Sequence, residues 1–235
     1  MARLARVEAL ETPHHVTQRG TGRRVVFETD NDRLVYLGLL QQHAKLQHLA
    51  ILGYCLMPNH VHLVVVPERE ASLQTALRNA HGRYATYLNA RQTTSGHVWQ
   101  GRYYSCPLGE DHLWAALRYT EVNPVRAGLV GDAAEFPWSS ARVHVGGGWD
   151  SLVDVGLWSA RWTLTEWREF LAATEFERES DEIRHSTHSG RPLGSANFVK
   201  GLETALARPL AARPGGRPKK REASRELVPS LLAVG

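Results

Sequence analysis

The sequence predicts an α+β protein: a ferredoxin-like βαββαβ antiparallel sheet with helices on one face, then a small helical extension and a basic tail. Three observations predict it. A hairpin of apolar, β-branched runs turns at Pro58-Asn59. Two long segments with helical apolar spacing separate the strand candidates. After about Gly146 the texture changes, and from Arg208 it becomes rich in Pro, Gly, Arg and Lys. The expected division is 1–146, 147–207 and 208–235.

The elements follow in order. His14-His15-Val16-Thr17-Gln18-Arg19-Gly20 reads as a short strand ending in a glycine turn. Asp30 is placed to cap a helix over 31–47, where Leu34, Leu37 and Leu40 share helical spacing. The runs 49–57 and 60–66 form a hairpin, because proline presets φ and asparagine tolerates turn geometry. Ser72 can cap a second helix to about residue 91, with Leu73, Leu77, Ala80, Tyr84 and Leu88 on one stripe. Residues 92–101 are a Thr-, Ser- and Gly-rich loop, 103–108 a strand, and 111–122 a third helix that Pro124 stops. Gly146-Gly147-Gly148 marks a flexible break, and 163–173 and 195–207 read as short helices. The stretch Arg213-Pro214-Gly215-Gly216-Arg217-Pro218-Lys219-Lys220-Arg221 cannot bury enough apolar surface to fold alone. It is expected to be disordered and to follow a phosphate backbone; a solvated tail is the alternative.

Composition narrows the classes. A hydrophobic fraction of 43% excludes global disorder. A net charge of +4 with pI about 9.3 points to a polyanionic partner, an ordinary basic protein being the alternative. The two cysteines, Cys55 and Cys106, form no CxxC motif and read as buried free thiols, which fits a reducing cytosol. Residues 1–12 hold no continuous apolar core, and no apolar run approaches membrane-spanning length, so a soluble cytoplasmic protein is expected.

His60-Val61-His62 carries the chemistry. Side chains alternate along a strand, so His60 and His62 share a face and Val61 takes the other. Two imidazoles on a rigid strand can hold one metal ion; two half-buried, hydrogen-bonded histidines are the alternative. On the third helix His112, Ala115, Tyr119 and Asn123 lie on one face. Tyr119 can supply a phenolate nucleophile or merely anchor the helix, and Asn123 can add an amide oxygen to a His-His-Asn shell.

Met57-Pro58-Asn59-His60-Val61-His62, Gly96-His97-Val98-Trp99-Gln100-Gly101-Arg102-Tyr103 and the run from Leu117 through Tyr119, Asn123 and Pro124 to Val130 resemble the single-tyrosine HUH transposases. The branch resembled is that of the REP-associated tyrosine transposases. Pro13-His14-His15-Val16-Thr17-Gln18-Arg19-Gly20, Phe136-Pro137-Trp138-Ser139-Ser140 and the later Gly190-Arg191-Pro192-Leu193-Gly194-Ser195 and Gly216-Arg217-Pro218-Lys219 extend the similarity over about residues 13–221. The resemblance implies that 1–146 is a catalytic domain that cleaves and rejoins single-stranded or hairpin DNA. It implies His60 and His62 as ligands of Mg²⁺ or Mn²⁺, Asn123 as the third ligand where better-known relatives have glutamine, and Tyr119 as nucleophile. A 5′-phosphotyrosine and a free 3′-hydroxyl are the implied products. Imidazole ligands lean towards Mn²⁺.

Single strands are gripped by cations and stacking aromatics. Trp99, Arg102, Tyr103, Tyr104, Arg19, Arg23, Arg24 and Arg118 are the candidates near the site, with core packing the alternative for each aromatic; Arg217, Lys219, Lys220 and Arg221 are those on the tail. Relatives are often dimers sharing sites, while the extension here favours a monomer, so both states stay open. A hairpin-binding regulator without catalysis, and a phosphoesterase that uses water, are the competing functions.

Overall fold

The computed structural model describes residues 6–173 and 177–210. Its strands and first helices are β1 (His14–Arg19), α1 (Asp30–Gln47), β2 (Leu49–Met57), β3 (His60–Pro67), α2 (Ser72–Gln92) and β4 (Tyr104–Pro107). The strands form one antiparallel sheet in the order β2-β3-β1-β4, the ferredoxin-like arrangement the sequence predicts. β3 is therefore a central strand, supported on both sides. Its register sets Met57 opposite His60, so Pro58 and Asn59 alone make the turn. His60 lies opposite Arg19 of β1, and His62 opposite Thr17.

The period-two alternation of β3 divides the molecule into two cores. Val61, Leu63 and Val65 face α1 and α2 and pack with Tyr36, Leu40, Leu73, Leu77 and Tyr84. Val64 belongs to the opposite face, where it packs with Cys106 of β4 and with α3 (Glu110–Arg126). Helices thus cover both faces of the sheet, not one. The reason is that β2, β3 and β4 carry buried apolar side chains on this second face too, and these need a cover. Gly53 lets that cover approach closely, because a Cβ there would overlap the Leu117 side chain of α3.

Three local expectations are corrected. Asp30 is the first residue of α1, and the cap is Thr29. Its side chain accepts from the Asp32 amide while the Asp32 carboxylate accepts from the Thr29 amide. This reciprocal pair contributes about 1 kcal/mol. Ser72 does not cap α2; its hydroxyl reaches the Gln47 and His48 carbonyls and ties α2 to the end of α1. Pro124 does not stop α3, which runs on to Arg126. A proline near a helix end removes one backbone hydrogen bond, and the amides of Ala127 and Leu129 close the turn on Asn123 and Pro124.

The extension packs on α3. After α4 (Ala141–His144), the Gly147 amide donates to the Arg142 carbonyl in a closed turn. α5 (Gly156–Arg161), α6 (Leu164–Ala172) and α7 (Glu177–Ser189) follow, and Trp158, Trp167, Leu171 and Ile183 share a core with Leu113 and Leu117. α7 is not legible in the sequence, since Ile183 is its one aliphatic residue. α8 (Ala196–Ala205) packs Leu202 with Val7, Ala9 and Leu210. Among the described residues no helix is long and apolar enough to cross a membrane. Of the expected basic tail, residues 211–235 lie outside the described residues, and with them Arg217, Lys219, Lys220 and Arg221.

Candidate active site

β3 and α3 bring the predicted chemistry together. His60 and His62 stand on one face of β3 with ring centroids 4.9 Å apart. Tyr119 comes down from α3, edge-on to His62 at 5.4 Å and to His15 of β1 at 5.5 Å. Because α3 continues past Pro124, Asn123 remains helical and lies one turn beyond Tyr119 on the same face. All four residues line one cavity of about 660 Å³. Tyr119 is 5% exposed, so its ring is held by its neighbours rather than by solvent.

The cavity is cationic. Arg19, Arg23 and Arg126 line it, and the Arg126 guanidinium lies 5.3 Å from the Tyr119 ring centroid. Arg184 of α7 joins them, paired to Asp181 at 2.6 Å. Among the described residues no carboxylate lines the cavity. Such a site favours an anion the size of a phosphodiester over a cationic or neutral guest.

The histidines are in the state that ligands need. Burial, with Arg19 next, brings His60 down to about 4; burial and the neighbouring His60 and His15 rings push His62 well below the usual imidazole range. Both are neutral at pH 7. The Asn59 amide nitrogen donates to the Arg23 carbonyl, which turns its oxygen to His60 Nδ1 at 2.6 Å. His60 therefore carries its proton on Nδ1 and keeps Nε2 as a bare donor atom. Among the described residues no three His, Cys, Asp or Glu side chains cluster as a closed metal site. Two imidazoles and the Asn123 amide oxygen fit a divalent ion that keeps open positions for substrate oxygens, and suit Mn²⁺ better than Mg²⁺.

Other candidates are placed differently. Trp99 is buried against Tyr36, His81 and Tyr84 and donates its indole proton to the His81 carbonyl. Tyr103 is buried beneath Arg6, whose guanidinium lies 3.9 Å from its ring centroid. Arg118 is 2% exposed; it donates to the Ala173 carbonyl and covers the Phe170 ring, bolting α3 to α6. These three are corrected from DNA contacts to packing residues, because their ring and guanidinium faces are taken up by protein neighbours. Arg24 turns away to Gln92, and Arg102 is exposed at a separate cavity beside Arg6 and Arg78. Tyr104 does line the main cavity, edge-on to His188 of α7. Both cysteines are buried free thiols, as expected, and burial pushes the Cys106 thiol up to about 12.

His15, Arg126, Arg184, Thr187 and His188 also line the cavity and are not among the candidates read from the sequence. His15 shares a strand face with Thr17 and Arg19, and Arg126 lies two turns beyond Tyr119, so periodicity could have found both. The three from α7 carry no such signal, since only the fold brings that helix to the site.

A family model described as "Transposase IS200 like" matches residues 11–123, the segment from the approach to β1 through Asn123. The match covers just under half of the chain, and over that segment the chain is similar to the IS200-like transposases. Among solved structures, a REP-associated tyrosine transposase bound to a REP hairpin shares the fold, at 16% identity and TM-score 0.55, over 66% of this chain and 98% of that one. A transposase candidate from Deinococcus radiodurans R1 aligns at 16% identity and TM-score 0.36, over 55% of this chain and 98% of that chain. No curated protein matches.

Proposed function

We propose that this chain is a transposase of the REP-associated tyrosine branch that cleaves and rejoins single-stranded or hairpin DNA through Tyr119. The observation that carries the reading is the single cavity in which Tyr119, His60, His62 and Asn123 meet under Arg19 and Arg126. The relative of the same fold that is bound to a REP hairpin supports the choice of substrate.

The Tyr119 oxygen attacks phosphorus and its proton leaves to solvent. The P–O3′ bond breaks, the 3′-oxygen takes up a proton, and a 5′-phosphotyrosine remains. The phosphodiester energy is conserved in that bond, so a second 3′-hydroxyl can reverse the step and join the strands. Arg19 and Arg126 put fixed positive charge where negative charge develops. Mg²⁺ or Mn²⁺ held by His60, His62 and Asn123 would polarise the scissile phosphate. A phosphate must enter between a strand and a helix. A flexible single strand can do so, whereas a stacked duplex must first open at a cost of a few kcal/mol.

The test is incubation with hairpin DNA labelled at either end, in Mn²⁺ or Mg²⁺. The 5′-phosphate side of the break should become protein-bound. An adduct on the 3′ side, or efficient cutting of blunt duplex, contradicts the proposal.

A further inference from the structure

His62 is joined to α7 by a chain of buried hydrogen bonds. His62 Nδ1 lies 3.0 Å from His15 Nε2, and His15 Nδ1 lies 2.7 Å from Thr187 Oγ1. Thr187 Oγ1 in turn donates to the Ile183 carbonyl oxygen at 2.7 Å. The Thr187 hydroxyl has one proton; the 2.7 Å bond to the Ile183 carbonyl uses it, and the order of the other protons then follows. Thr187 Oγ1 must then accept from His15 Nδ1–H. A neutral imidazole has one N–H, so His15 Nε2 is bare and accepts from His62 Nδ1–H. His62 is left with a bare Nε2 on a ring that lines the cavity. His15 and Thr187 are each 1% exposed, so water does not compete for these bonds. The nearby Cys106 Sγ, 3.3 Å from Thr187 Oγ1, can donate to it and fits the same direction.

We propose that His15 and Thr187 are positioning residues that fix His62 as the tautomer whose Nε2 can bind a metal ion. The extension would then do more than cover the sheet, because Thr187 lies outside the family-matched segment and sets the state of a ligand inside it. The proposal rests on the reading of His62 as a metal ligand. His60 obtains the same tautomer from Asn59, its own chain neighbour, whereas His62 obtains it from 125 residues away in sequence.

The test uses the full chain with ¹⁵N-labelled histidine. Long-range ¹H–¹⁵N spectra of the metal-free protein should show both His15 and His62 protonated on Nδ1. Thr187→Val keeps the shape and removes the hydroxyl; it should mix the His62 tautomers and weaken Mn²⁺ binding, measured by calorimetry, by about tenfold. Thr187→Ser keeps the hydroxyl and should restore both readouts, which a purely structural role of the threonine methyl would not allow. His62 protonated on Nε2 in the natural chain, unchanged Mn²⁺ affinity in Thr187→Val, or equal damage in Thr187→Ser would overturn the proposal. Should Thr187→Val fail to fold, the natural chain and Thr187→Ser decide alone. A natural chain that binds no Mn²⁺ would instead overturn the metal reading, and the spectra would still decide the proton order.

Discussion

Glu121→Gln should lower the melting temperature substantially, because Glu121 holds the tyrosine-bearing helix in place. It sits on α3 two residues after Tyr119 and is fully buried. Its Oε1 accepts from the Ser140 hydroxyl at 2.5 Å and from His144 Nδ1 at 2.6 Å; its Oε2 accepts from the Trp167 indole at 2.9 Å. One side chain thus ties α3 to α4 and α6. A glutamine has one oxygen and one NH₂. If the oxygen keeps Ser140 and His144, the NH₂ meets the Trp167 N–H, donor against donor. That bond disappears and the other two lose their charge assistance, for a total of about 3 kcal/mol. For a chain of this size that corresponds to a fall of roughly 6–12 °C in Tm. Circular dichroism during heating measures it. Glu121→Ala should cost more, about 3–5 kcal/mol, since it strands all three donors. A drop below about 2 °C in Glu121→Gln would show instead that apolar packing alone seats α3.

Three further outcomes are expected. His60→Ala and His62→Ala should each abolish most Mn²⁺ binding in a calorimetric titration, whereas Val61→Ala, whose side chain lies in the opposite core, should leave affinity unchanged and cost roughly 2 kcal/mol in stability; equal affinity in all three would remove the metal reading. Acid should destabilise the fold before carboxylates titrate: burial lowers His14 to about 4 and His81 to about 3, and His14 Nε2 accepts from the Ala9 amide, a bond that protonation breaks. Between pH 6.5 and about 4 the unfolded chain binds these protons and the folded one does not, so stability falls with pH by up to about 1.4 kcal/mol per unit for each histidine; a urea midpoint that is flat from pH 7 to 5 would contradict this. Deleting residues from Arg213 onward should weaken hairpin binding and reduce the slope of log K against log salt by roughly one for each phosphate that the tail neutralises; an unchanged slope would show the tail to be a bystander.

Strand alternation made much of this site legible. His60, Val61 and His62 sort onto opposite faces by period two alone, and the hairpin turn is written in Pro58-Asn59. Tyr119 and Asn123 share a face by helix spacing, once Pro124 is accommodated in the last turn rather than ending the helix. Aromatic and basic residues near the motifs were less informative. Trp99, Tyr103 and Arg118 can equally stack on a base or fill a core, and only packing decides between these fates. The contribution of α7 was illegible. Its residues are mostly polar, its one buried aliphatic side chain gives no periodicity, and Thr187 meets His15 only because β1, β4 and α7 fold together.

If Tyr119 is the nucleophile, it becomes covalently joined to DNA during the reaction. Denaturing gels of the natural chain and of Tyr119→Phe, each incubated with labelled hairpin DNA and Mn²⁺, decide whether it does. The natural chain should carry label through a 5′-phosphotyrosine. Tyr119→Phe, which loses only a hydroxyl from a ring packed against His62 and His15, should bind the hairpin with unchanged affinity and form no adduct. An adduct in Tyr119→Phe would assign the nucleophile elsewhere, with Tyr104 the next candidate in the cavity, and absence of any adduct in the natural chain would rule out covalent catalysis by tyrosine altogether.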